Sequence, residues 1–341
     1  MSSAAVSPTT LRPAWQTELA RGFRNPAELV AALDLPPDWA AAARAGHDEF
    51  PTRVPRGFVA RMRPGDPSDP LLRQVMPLAE EEIRQPGFDT DPVGDLGAMD
   101  TPGVLHKYHG RALLIVTGAC AVNCRYCFRR HFPYGDAHAA RGQWEPALEH
   151  VASDPTLSEI ILSGGDPLSL PDHRLAELAR RLGEMPHLQR LRVHTRLPIV
   201  LPERVDDALL DWLTDGRLQP VVVLHANHAN ELDDSVSRAC HRLRDAGVTL
   251  LNQAVLLRGV NDSVDSQCVL SERLFELGVL PYYLHQLDRV AGATHFLVPA
   301  AEARALAAAL AERLPGYLVP TLAREDAGAP AKTPMITARH G

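Results

Sequence analysis

The stretch ALLIVTGACAVNCRYCFRRHF, residues 112–132, joins a short apolar run to a cysteine-rich loop. ALLIVTG (112–118) reads as a buried strand. The loop leaving it carries Cys120, Cys124 and Cys127 at Cys-xxx-Cys-xx-Cys spacing. Five more strand candidates follow: SEIILSG (158–164), RLRVHT (190–195), PVVVLHA (220–226), TLLNQAVLL (249–257) and LPYYLHQL (280–287). Amphipathic helix candidates lie between them, at 173–185, 206–216, 231–247 and 263–278. Another, AEARALAAALAERL (301–314), follows the last strand. Apolar strands alternating with helices predict a parallel sheet covered on its outer face. Six such units predict an α/β fold, a partial (β/α)6 barrel short of the eight units of a closed one. A doubly wound open sheet is the alternative, weakened because no dinucleotide-type glycine fingerprint follows the first strand.

Residues 1–105 read as an N-terminal, mainly helical region with Pro-, Gly- and Asp-rich connections at 51–70 and 86–103 and no obvious chemistry. The barrel spans 106–300, and 301–341 forms a C-terminal helix and tail. In such folds the chemistry gathers at the C-terminal ends of the strands. Cys120 follows the first strand, and Ser163-Gly164-Gly165-Asp166 the second. His194 and Arg196 end the third; His225, Asn227 and His228 end the fourth. Gln253 lies in the fifth, with Asn261 and Asp262 beyond it, and His285 and Asp288 end the sixth.

Bulk composition narrows the setting. The 341 residues carry a formal charge of −7, so no basic footprint for nucleic acid shows in the totals. No apolar run reaches the ~18 residues of a membrane span. The start, MSSAAVSPTTLRPAW, lacks the pattern of a secretory signal, which predicts a cytoplasmic protein. Disulfides are then a poor use of five cysteines. Cys240 and Cys268 fall in helix-like segments and read as small buried apolar residues.

Three thiolates on one short loop can wrap three corners of an iron–sulfur cubane, leaving one iron open to a substrate or cofactor. Two rivals remain on spacing alone. A closed zinc site needs a fourth ligand, for which His131 is near in sequence. An electron-transfer ferredoxin wants a fourth cysteine within range.

The cysteine motif, with Tyr126 and Phe128 flanking Cys127 and with Ser163-Gly164-Gly165-Asp166 after the second strand, resembles the radical S-adenosylmethionine superfamily. There the open iron binds the methionyl group, and an electron from the cluster generates a 5′-deoxyadenosyl radical. The Gly-rich segment binds the methionyl amino group, its glycines permitting close backbone approach. A finer resemblance runs through HKYHGRALLIVTGACAVNCRYCFRRHFPYG, LSGGDPL, RLPIVLPERV, LHANHANEL, NQAVLLRGVND, PYYLHQLDRVAGATHF and PGYLVPT…KTP, across roughly residues 95–335. It is to the lysine 2,3-aminomutase family.

That resemblance implies an isomerase using a [4Fe–4S] cluster, S-adenosylmethionine and pyridoxal phosphate to move the α-amino group of lysine to the β-carbon. By position, Lys332 of GAPAKTP is the pyridoxal lysine, although most glycines of the family's segment are missing. Arg129 pairs with the substrate α-carboxylate, and a planar fork suits that partner. Arg111 and Lys107 hold the cofactor phosphate, with Lys107 standing where the family usually has Arg. Asp288 grips the substrate ε-ammonium. Glu325 falls where the lysine-specific enzymes have a second Asp, and Asp326 is adjacent. His194, His225, His228 and His285 read as polar contacts around the cofactors rather than a second metal site. The short tail resembles the subgroup that makes β-lysine for modifying translation elongation factor P, where a separate ligase attaches the product. An electron donor such as a flavodoxin or ferredoxin is implied. A catabolic aminomutase for lysine or another amino acid is the first alternative, and a non-catalytic metal-binding protein on the same fold is the second.

Overall fold

The computed structural model describes residues 13–99, 101–137 and 144–335; the first twelve residues and those after Met335 lie outside it. The leader reading of the N-terminus and most of the short tail therefore fall on residues that are not described.

Nine strands form one sheet in chain order: β1 (Val104–Tyr108), β2 (Arg111–Thr117), β3 (Glu159–Gly164), β4 (Arg190–Thr195), β5 (Gln219–Leu224), β6 (Thr249–Leu256), β7 (Leu280–Gln286), β8 (Thr321–Arg324) and β9 (Thr333–Pro334). β2 to β8 run parallel, and β1 and β9 pair antiparallel at the two edges. Between the parallel strands lie helices Glu145–Ser153, Asp172–Gly183, Asp207–Thr214, Asp234–Asp245, Val264–Glu276 and Ala300–Arg313. Strand order never reverses, as it must in a doubly wound sheet. The two edge strands do not meet, so the chain winds one way as an open, partial barrel.

The sequence pattern marks six of these strands and misses three. β8 and β9 are four and two residues long, too short to show a period of two. β1 hides in VLHKY, where polar residues interrupt the run; it turns into β2 through His109-Gly110, and Gly110 takes the positive φ, 74°, that this turn needs.

Side chains alternate across a strand. On β4, Leu191 and Val193 join the main apolar core, while Arg192 and His194 face the barrel interior. On β6, Leu250 and Ala254 face the core, while Gln253 and Val255 face the interior. The core lies under the helices, and the inner face is left open, with polar groups such as Arg192, His194 and Gln253 set among apolar ones. Cys240 and Cys268 are buried within their helices, away from that inner face.

Short helices at Ala14–Ala20, Pro26–Ala32, Asp38–Ala42, Arg44–Glu49, Arg56–Val59 and Pro70–Arg73 make up the N-terminal region. Buried Glu81 ties it to the cysteine loop. Its carboxylate accepts from Arg125 Nε at 2.8 Å and from Arg130 Nη2 at 2.7 Å. Arg125 also donates to the carbonyls of Gly46 and Phe50. A buried charge needs such complete pairing to be tolerated, so loop and helices hold each other in place. No helix among the described residues is long and apolar enough to cross a membrane.

Candidate active site

One cavity opens at the C-terminal ends of the strands. Its volume is about 280 Å³. Cys120, Cys124, Cys127, Arg129, Lys107, Arg111, Ser163, Gly164, Gly165, Asp166, Asp288, Glu325 and Lys332 all line it. Residues up to 225 positions apart in sequence thus share one cavity, because the sheet sets the ends of its strands and the loops beyond them side by side.

The cysteine loop enters directly from β2. Arg196, at the end of β4, donates from Nη1 to Cys124 Sγ at 2.8 Å. Its Nη2 is held by Gln74 Oε1 at 2.6 Å and Glu231 Oε2 at 2.9 Å. Arg53 donates to the Cys120 carbonyl at 2.8 Å. Among the described residues no group of three or more His, Cys, Asp or Glu is gathered closely enough to hold a metal ion as it stands. His131, the candidate fourth zinc ligand, lies 3.1 Å from the Ala291 carbonyl and does not line the cavity. Thiols spaced around one cavity wall, with an arginine N–H on one sulfur, fit a polynuclear cluster.

The Gly164-Gly165 turn has a physical reason within the chain itself. A Cβ on Gly164 would stand 2.5 Å from the Thr117 carbonyl oxygen, and one on Gly165 would stand 2.4 Å from that of Ala119. Gly164 also has φ of 115°. The backbone these glycines let in is the cysteine loop itself, joined by Gly165 N to Thr117 O (2.7 Å) and Asp166 N to Ala119 O (2.8 Å). Asp166 accepts from Thr195 Oγ1 at 2.7 Å, Arg196 N at 2.8 Å, and Leu168 N and Leu197 N at 3.1 Å. It braces the ends of β3 and β4 together.

An alternating chain of charges crosses the opposite wall. Lys332 Nζ lies 2.7 Å from Glu325, Glu325 lies 3.0 Å from Lys107 Nζ, Lys107 lies 2.6 Å from Asp95, and Asp95 lies 2.7 Å from Arg129 Nε. Burial pushes the Glu325 carboxyl up, but the Lys332 and Lys107 ammonium groups outweigh it and hold it at about 2. Among the described residues Asp288 has no such ion-pair partner. Burial raises it to about 7, and the neighbouring Glu325 charge adds to the rise. Among the described residues Arg111 makes no ion pair; its guanidinium lies over the Tyr108 ring, 4.8 Å from the centroid. An unpaired cavity cation is a fitting partner for a phosphate.

Other expectations fare differently. His194, His225 and His285 line the cavity, and burial pushes all three below the usual imidazole range. His228 does not line it; its ring caps the next helical turn by accepting from Asn230 N at 3.1 Å. Asp326 also lies outside the cavity wall, its carboxylate 2.9 Å from Arg324 Nε. Sequence reasoning missed Asp95, which sits in a segment that looks like a plain connection. No local signal marks it, since a lone Asp in a Pro- and Gly-rich stretch reads as a turn residue.

Comparison with known proteins agrees with this geometry. A family model described as the radical SAM superfamily matches residues 114–265. The chain is 50% identical to the L-lysine 2,3-aminomutase of Escherichia coli (strain K12) over 328 residues, 96% of each chain. It is 47% identical over 319 residues to the Haemophilus influenzae protein of the same name, covering 94% of each. To that of Clostridium subterminale it is 35% identical over 281 residues, 82% of this chain and 67% of the other. With half its residues shared along almost the whole of a curated relative, the chain belongs to the L-lysine 2,3-aminomutase family of radical S-adenosylmethionine proteins.

Proposed function

We propose that this protein is an isomerase that converts L-α-lysine to β-lysine by moving the α-amino group to the neighbouring carbon. The observation that carries the proposal is a single cavity holding the cysteine triplet, Arg129, Asp288, Glu325 and Lys332 together. A [4Fe–4S] cluster on Cys120, Cys124 and Cys127 would supply the electron that turns S-adenosylmethionine into a radical source, and pyridoxal phosphate on Lys332 would carry the migrating amino group.

The chain's own residues bind and orient. Ser163, Gly164, Gly165 and Asp166 shape the wall against which S-adenosylmethionine is held. Arg111 takes the cofactor phosphate, with Lys107 as the second cation beside it. Arg129 takes the substrate α-carboxylate. Asp288 and Glu325 take the ε-ammonium, and the same negative pair repels an acidic side chain. The barrel wall keeps water and competing hydrogen donors away from the reacting carbons.

The finer reading is that the β-lysine serves to modify translation elongation factor P in the cytoplasm, with a ligase as the next enzyme and a flavodoxin or ferredoxin as electron donor. Its support is the sequence resemblance to that subgroup.

The test is anaerobic reconstitution with iron, sulfide and pyridoxal phosphate, followed by incubation with S-adenosylmethionine, a low-potential reductant and amino-15N-labelled amino acids. The proposal expects labelled β-lysine from lysine and no product from glutamate. Conversion of another amino acid with lysine inert would overturn it.

A further inference from the structure

The guanidinium of Arg129 is held from two edges and from below. Its Nε donates to Asp95 Oδ2 at 2.7 Å, and its Nη1 donates to Ser163 Oγ at 3.3 Å. The Phe128 ring lies beneath it, with the guanidinium carbon 4.7 Å from the centroid. Among the described residues Nη2 makes no hydrogen bond. A guanidinium meets a carboxylate with two parallel N–H groups, either side-on through Nε and Nη2 or end-on through both Nη atoms. With Nε taken, only the end-on approach is open.

Asp95 is itself built in. It is 1% exposed, its other oxygen lies 2.6 Å from Lys107 Nζ, and its backbone N–H donates to Asp91 Oδ1 at 2.8 Å. A carboxylate this constrained sets the plane and the direction of its arginine.

We propose that Asp95 is a positioning residue that turns the Arg129 fork end-on toward the substrate α-carboxylate. The inference rests on the reading that Arg129 binds that carboxylate. Asp95 makes its own contacts with protein groups, to Arg129, Lys107 and Asp91. It acts through Arg129, and so it governs how well the enzyme recognises the carboxylate end of an amino acid. It lies in the N-terminal region, which thereby contributes to substrate selection.

The experiment uses the reconstituted holoenzyme and compares lysine with lysinamide, which lacks the carboxylate charge. Binding is followed through the absorption of the bound cofactor, and turnover is measured separately. Asp95→Asn is expected to raise the KM and the dissociation constant of lysine about tenfold, because one charge-assisted contact is misaligned. Its kcat stays within about twofold, and lysinamide binding is unchanged, since a uniform binding loss leaves kcat alone. Equal weakening of lysine and lysinamide makes Asp95 merely structural and overturns the proposal, as does unchanged lysine binding. Arg129→Gln separates the two ideas. If it weakens lysine while Asp95→Asn does not, only the positioning role fails. If it leaves lysine binding intact, the carboxylate reading fails and takes the positioning role with it. Should Asp95→Asn lose iron or melt early, Asp95→Glu, which keeps the charge but displaces it, carries the same comparison.

Discussion

Glu325 accepts a hydrogen bond from Lys332 at 2.7 Å, so the residue proposed to carry the cofactor is held by one proposed to bind substrate. Two ammonium groups keep the Glu325 carboxyl at about 2, against an ordinary value of 4.5. A depressed carboxyl stabilises the fold above its ordinary value and loses that effect as pH falls toward the folded one. Glu325→Gln is expected to cost on the order of 2–3 kcal/mol at pH 7, following the size of the shift. The gap from the parent protein should narrow steadily below pH 5. Denaturant titrations of the ligand-free protein across that range check it; a gap that stays constant with pH contradicts the ion pair.

Asp288 has the opposite sign. Its carboxyl is raised to about 7 from 3.8, so its contribution is fully present below 3.8 and is lost as pH rises through 7. Ionised Asp288 is therefore a burden on the empty protein at alkaline pH. Asp288→Asn is expected to melt a few degrees above the parent at pH 8 and level with it at pH 4, while lysine binding falls steeply. A scanning melt at the two pH values tests this. The parent should also release a proton on binding lysine near pH 6.5, because the ε-ammonium draws Asp288 into its charged form; calorimetry in buffers of different ionisation enthalpy reads that proton.

A methyl group at Gly165 has nowhere to go, with the Ala119 carbonyl oxygen 2.4 Å from the Cβ position. The clash is with backbone that also carries Cys120. Gly165→Ala is expected to cost at least about 2 kcal/mol, in the range of core overpacking, and to lower iron content after anaerobic reconstitution. Full iron loading with normal stability would mean that the two loops are not locked together as described.

Arg196 brings positive charge and an N–H group to Cys124 Sγ at 2.8 Å. Hydrogen bonds to the sulfurs raise a cluster's potential by favouring the more negative, reduced form. Arg196→Lys keeps the charge and loses the fork that also grips Gln74 and Glu231. The cluster's midpoint potential is expected to fall by some tens of millivolts. A redox titration followed by electron paramagnetic resonance decides the point, and an unchanged potential would detach Arg196 from the cluster.

Much of this protein is legible in its sequence because the relevant signals are local. The alternation of apolar strands with amphipathic helices sets out six parallel strands. Cys120, Cys124 and Cys127 are close in sequence and share a loop, so their spacing alone points to a metal site. The roles of Lys332, Arg129 and Asp288 are legible only through resemblance, although Asp288 is already marked by its place at the end of a strand.

What the tertiary structure decided is which groups face each other. His131 and His228 turn out of the cavity, while Asp95 turns into it from a segment that looks like mere connection. Glu325 settles between Lys332 and Lys107, and Arg196 reaches Cys124 across 72 residues. The two glycines after β3 serve the contact between loops, a reason invisible until both loops are placed. Spacing along a chain determines secondary structure and short loops, because those depend on near neighbours. Ion pairs, close backbone contacts and the direction of a lone side chain depend on residues brought together only when the sheet winds into its barrel.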